Sequence, residues 1–163
     1  MLIVSDATPI ISLIKVDRLD LLETMFQVVM MPQAVHDELT RNSRYSNEAA
    51  IVEQSSFLRV GTIKNLHSVA MLRQADKLDA GESEAIVLSK EQSANVLLMD
   101  ERRGRQIAKR LGINITGTIG ILLQAYDEEL LSGTDVLKCL ERMQKSNIRL
   151  SKALIEQVEK HVL

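Results

Sequence analysis

The sequence predicts an α/β fold, a mostly parallel central sheet with helices on both faces in three layers. Three observations carry this. Short apolar runs alternate with helix-period stretches from residue 2 to about 127. Two of those runs, Leu2-Ile3-Val4-Ser5-Asp6 and Val96-Leu97-Leu98-Met99-Asp100, each end in an aspartate and lead into a helix. The 163 residues are 45% hydrophobic and 26% charged, enough for a single domain over 1–163 with a substantial core and too apolar for a disordered chain.

In order, residues 2–5 read as the first strand, followed by helices at 8–15 and 18–25. Pro9, three residues past Asp6, suits a helix start, because proline there removes no needed donor and presets φ. The run Val28-Val29-Met30-Met31 gives a strand at 27–31, and Pro32 opens a helix over 32–40. The polar stretch 41–47 leads to a helix near 47–55, and Phe57-Leu58-Arg59-Val60 forms a short strand. Helices follow near 67–76 and 80–92, the second capped by Asp79, before strand 96–100. Helix 101–111, a short strand at 113–115 and helix 118–127 close the motif-bearing core. Two amphipathic helices near 133–145 and 151–162 finish the chain. Their stripes, Val136, Leu137, Leu140 and Met143, then Leu150, Leu154, Ile155, Val158 and Val162, suit a core, a dimer face or a partner groove.

Composition excludes several classes. Aromatic residues make up only 2%, which leaves no base-stacking platform of the kind single-strand binders use. A net charge of −2 gives no broad basic field, so contact with nucleic acid is local or metal-assisted. One cysteine and three scattered histidines supply neither a disulfide frame nor a zinc spacing. The apolar start is broken by Asp6 and lacks the basic opening of a signal peptide, and no run approaches the roughly 20 residues of a membrane span. The expectation is a soluble, cytoplasmic protein.

Ligands of open parallel sheets bind outside the carboxyl ends of the strands, where Asp6 and Asp100 both stand. Asp6 or Thr8 could instead cap the first helix. Glu38 shares a helix face with Ala34 and Val35, leaning inward, where a glutamate is costly unless paired or bound to a cation. Otherwise it is a boundary residue reaching solvent. Glu82 leads the face of Ala85, Ile86 and Ser89 but stands three residues after Asp79, the spacing of a capping box. Glu84 is a weaker candidate. Four converging carboxylates repel and raise one another's pKa, a conflict that a divalent ion removes. All-oxygen ligands suit Mg2+ or Mn2+ rather than zinc. Arg102, Arg103 and Arg105 follow Asp100 at a helix start, where they oppose the dipole. They form either a solvated basic face or a cationic rim guiding a phosphodiester backbone. Gly117 and Gly120 mark a tight strand-to-helix turn or, with less support, a phosphate-binding one.

Five stretches resemble the PIN-domain family, in its uncharacterised branch related to the nuclease toxins of toxin–antitoxin pairs. They are Ser5-Asp6-Ala7-Thr8-Pro9, Pro32 to Leu39, Leu78 to Ala85, Leu97 to Arg105, and Thr116-Gly117-Thr118-Ile119-Gly120. The resemblance implies a parallel sheet with an acidic pocket at its edge, Mg2+- or Mn2+-dependent ribonuclease activity on RNA, homodimerisation, and inhibition by a small antitoxin. Asp6 and Asp100 match the family's metal-facing acids and Glu38 its helix-borne glutamate. The third acid, commonly aspartate in the family, is matched by Glu82, with Asp79 just before it, and Thr8 matches a hydroxyl supporting the first acid. Haloacid dehalogenase-like phosphatases fit worse, since Thr8 stands where they need a second aspartate. So do response-regulator receivers, since Ser5 replaces an acid and no lysine follows the last strand.

The reading is a metal-dependent endoribonuclease with Asp6 and Asp100 on the metal and Glu38 and Glu82 completing its shell. The alternative is a catalytically silent PIN-like module that binds a protein partner or nucleic acid.

Overall fold

The computed structural model describes residues 1–163. Five strands pair in one all-parallel sheet: β1 (Ile3–Ser5), β2 (Val29–Pro32), β3 (Leu58–Gly61), β4 (Val96–Leu98) and β5 (Ile115–Thr116). Their order is β3-β2-β1-β4-β5. The chain steps outward from β1 to β3 and then returns to β1's other side, so the order reverses between β1 and β4. In such sheets the crevice at that reversal, beyond the carboxyl ends, is where ligands bind. Ser5 pairs with Leu98, and the Asp6 amide donates to the Leu98 carbonyl at 2.9 Å, so Asp6 leaves the sheet beside the end of β4.

Ten helices complete the chain: α1 (Ala7–Lys15), α2 (Asp20–Phe26), α3 (Gln33–Arg41), α4 (Ser46–Gln54), α5 (Leu66–Ala75) and α6 (Ala80–Glu91) in the first part. Then come α7 (Arg102–Arg110), α8 (Thr118–Asp127), α9 (Gly133–Lys145) and α10 (Lys152–Val162). None is long and apolar enough to cross a membrane.

Alternation along the central strands divides the core between the two sheet faces. Ile3 and Leu98 join a cluster of 27 buried residues with α1, α2, α8, α9 and α10. Val4, Leu97 and Met99 join a cluster of 10 with α6 and α7. Burial on both sides explains why β1 reads as a continuous apolar run. Val136, Leu140, Met143, Val158 and Val162 lie inside the larger cluster, so the stripes of the last two helices are mainly core rather than an open partner face.

The predicted elements are all present, with shifted ends. β4 stops at Leu98, with the Met99 amide still donating to the Thr116 carbonyl at 2.9 Å, and β5 starts two residues late, at Ile115. The polar stretch after α3 holds a short 3-10 turn, Ser43–Tyr45. Neither proline takes the first helical position. Pro32 is the N-cap residue of α3 and Pro9 is the third residue of α1, both still in the zone where helix amides lack intrahelical acceptors.

Candidate active site

The site is built on the ends of β1 and β4 and the starts of α3 and α6. Asp6 occupies the N-cap position of α1, yet its side chain makes no capping bond, so the capping account of this residue fails. It is 5% exposed, held on a strand end that cannot move without breaking the sheet. Opposite it, α6 begins with Asp79, Ala80 and Gly81. A Cβ at Gly81 would stand 3.4 Å from Asp6 Oδ1 and 3.4 Å from Glu38 Oε2, so the two oxygens lie no further apart than twice that distance. The missing side chain keeps the space between them open.

The electrostatics describe a cleft short of positive charge. Burial pushes the Asp6 carboxyl from 3.8 up to about 7; the Ala7 amide opposes the rise, and the charges of Asp79, Glu82 and Glu38 add to it. Glu38, half-buried, is raised by burial and by Asp79, with Arg44 pulling the other way. Glu82 is raised by burial, against the Asp79 amide, and then by the charges of Asp79, Glu101 and Glu38. Asp6, Glu38, Asp79 and Glu82 therefore form one coupled acidic group.

Glu82 is divided between two tasks. Its Oε2 accepts from the Asp79 amide at 3.0 Å while Asp79 Oδ1 accepts from the Glu82 amide at 2.8 Å, a complete capping box. Oε1 of Glu82 and Oδ2 of Asp79 remain outside it. Between the two, Asp79 acts more strongly on Asp6.

Asp100 stands differently. Its Oδ1 accepts from the Thr118 amide and its Oδ2 from the Thr118 hydroxyl, each at 2.7 Å. The N-cap residue of α8 is Gly117, which has no side chain to cap with, and Asp100 supplies the cap from β4 instead. A Cβ at Gly117 would come within 2.5 Å of Asp100 Oδ1. Asp100 thus borders the cleft with both oxygens already engaged, and it is absent from the charges that shift Asp6. No three acidic, histidine or cysteine side chains stand close enough in this arrangement to hold one ion.

The supporting residues sort unevenly. Thr8 makes no bond to Asp6; it is exposed and lines a hollow with Asp100 and Glu101. Arg103 leaves the rim, its Nε donating to the Asp76 carbonyl at 2.6 Å. Arg102 and Arg105 share one side of α7 with Lys109, around a hollow that includes Asp100. Arg105 also donates from Nη1 to the Met99 carbonyl at 2.9 Å, which fixes its stem beside Asp100. Spacing alone, i, i+3 and i+7, would have selected Lys109 over Arg103. Arg44 and Glu101 were not foreseen as site residues. Glu84 caps α3, accepting from the Ala34 amide at 3.1 Å where Pro32 offers no capping side chain.

The donors that converge are all carboxylate oxygens, Asp6 is strongly destabilised as an anion, and Gly81 leaves room between the oxygens. Oxygens of this kind suit a hard divalent cation, with Asp6 and Glu38 the pair that flanks the open position and no third acid within reach of the same point. No curated protein matches the chain. A family model for the PIN domain matches residues 2–162, nearly the whole length, so the chain belongs to the PIN-domain family.

Proposed function

We propose that this chain is a metal-dependent endoribonuclease that hydrolyses RNA phosphodiesters using Mg2+ or Mn2+. The observation that supports it most is the coupled group of Asp6, Glu38, Asp79 and Glu82 around the open space at Gly81. Asp6 and Glu38, on either side of Gly81, would hold the ion directly, with Asp79 Oδ2 rather than Glu82 reaching it through a water as the third acid. Such an ion neutralises the carboxylates, acidifies a water and stabilises the leaving oxygen. Glu82 would hold the start of α6 in place through its bond to the Asp79 amide and reach the site with its free oxygen. Asp100, kept by Thr118, retains a lone pair on each oxygen for a bound water. Arg102, Arg105 and Lys109 would carry the RNA backbone past the cleft.

The biological setting that the family suggests is the toxin of a toxin–antitoxin pair, acting in the cytoplasm as a homodimer and silenced by a small antitoxin. Met71 and Leu111 are exposed around a hollow between α5 and α6, a surface of the apolar character such a partner needs.

The direct test is RNA cleavage with added manganese, comparing wild type with Asp6→Asn. Loss of cleavage in the variant is expected, and equal activity rules the assignment out. One observation favours a second reading, a silent module that only binds a partner. Both oxygens of Asp100 are engaged, and one of Glu82's is too. Calorimetric titration separates the two, because a silent module takes up no manganese.

A further inference from the structure

Beside the acidic cleft lies a second hollow, of about 280 Å3, between the start of α1, the start of α8 and the turn joining α9 to α10. Asp100 and Glu101 belong to its wall, so it is continuous with the proposed site. Ile119, Met143, Leu150 and Leu154 make its apolar side, and Arg149 stands exposed at its edge. Ser12 also lines it. That residue is only 2% exposed, and it adds a polar side chain to the lining.

We infer that this hollow is a nucleobase subsite, taking one unstacked base of a single-stranded RNA whose backbone follows the α7 rim. The inference rests on the RNA-nuclease reading of the adjoining cleft. Size fits, because the hollow falls just under the ~300 Å3 at which pockets for larger small molecules begin. Chemistry fits as well. The aliphatic wall covers a base face, the Ser12 and Thr8 hydroxyls can bond its edge, and the Arg149 guanidinium can stack on it. A chain with two Phe, two Tyr and no Trp has few aromatic platforms, and an aliphatic clamp with an arginine plane does the same work. Bases paired in a duplex are not free to enter, so the subsite selects single strands.

The test measures binding of fluorescent ten-nucleotide RNAs by anisotropy, using the full chain carrying Asp6→Asn so that nothing is cleaved. Four homopolymers and an abasic strand of the same length are compared. Stronger binding of at least one homopolymer than of the abasic strand is expected. Leu154→Glu, which puts a negative charge on the apolar side of the hollow, and Arg149→Ala, on the exposed turn, should each weaken that binding by about five- to tenfold without lowering Tm. With Asp6 restored, the same two changes should raise KM by a similar factor and leave kcat within about twofold. Equal binding of abasic and homopolymer strands, or unchanged affinity in both variants, overturns the subsite. Base-dependent binding without cleavage by wild type would sink the nuclease reading and leave the subsite standing. Cleavage by a wild type that ignores the base would do the reverse.

Discussion

Gly81 is the residue on which fold and function can be separated. An added methyl would meet Asp6 Oδ1, Glu38 Oε2 and Val35 Cγ2 at 3.4 Å, ordinary contact that demands no backbone shift. Alanine also suits the first turn of a helix better than glycine, by up to about 0.5–1 kcal/mol. Gly81→Ala should therefore fold with unchanged or slightly raised stability in urea, while manganese affinity by calorimetry falls at least tenfold. Normal affinity in a folded variant would show that the ion does not sit between those oxygens. Asp6 gives a pH test. Its carboxyl ionises near 3.8 in the unfolded chain and near 7 in the fold, so the folded chain holds the proton more tightly. The associated stability is fully present below about pH 4 and is lost as pH rises through 7. Without metal, wild-type Tm should fall between about pH 4 and 7 and level off above, and Asp6→Asn should fall less, ending about 1–3 kcal/mol more stable at pH 8. Parallel curves would mean that Asp6 is not strained as an anion. Asp6 and Glu38 were legible because strand-end position and helix period place them without any knowledge of neighbours. The choice between Asp79 and Glu82 was not, since the capping-box spacing is the same whichever residue turns its spare oxygen to the cleft. Nor was Asp100's engagement, which depends on an empty Cβ position seventeen residues away in sequence, at Gly117.

Among the elements, the alternation of apolar runs and helical periods located every strand and helix, because each buries its own face locally. The strand order and the joints were hidden. Helix α2 ends in a joint of particular interest, at Gln27, where φ is 68° and ψ −51° and the Val28 amide donates to the Phe26 carbonyl at 2.8 Å. That is a three-residue γ-turn in its rare, strained form. It lets the chain drop from α2 into β2 within two residues, and an exposed glutamine shows no sequence signal for it. Glycine takes positive φ without a Cβ penalty, so Gln27→Gly should stabilise the protein by about 1 kcal/mol in urea denaturation, part of the relief being offset by unfolded-state entropy. Destabilisation by the same amount would mean that the glutamine side chain contributes something its exposed position does not reveal.

For the whole molecule, the proposed nuclease reading raises the question of how a chain of net charge −2 would hold a polyanion. The cleft itself is acidic, so without metal it repels phosphate, and on that reading the phosphate contacts come from the three cations on one side of α7, Arg149 being turned to a base. Each phosphate neutralised on a single strand contributes about −0.7 to the slope of log affinity against log salt. Three contacts give a slope near −2, shallow beside proteins that carry broad basic faces. Replacing Arg102 and Lys109 together with alanine should bring the slope to roughly −0.7, and RNA affinity should weaken evenly across base sequences. Arg103→Ala serves as the internal contrast. Its Nε is spent on the Asp76 carbonyl, away from that side of α7, so its removal should leave the slope unchanged while costing some stability at the α5–α7 junction. If instead Arg103→Ala flattens the salt dependence and the double substitution does not, the RNA runs along the opposite side of α7. The path from that helix to Asp6 would then have to be redrawn.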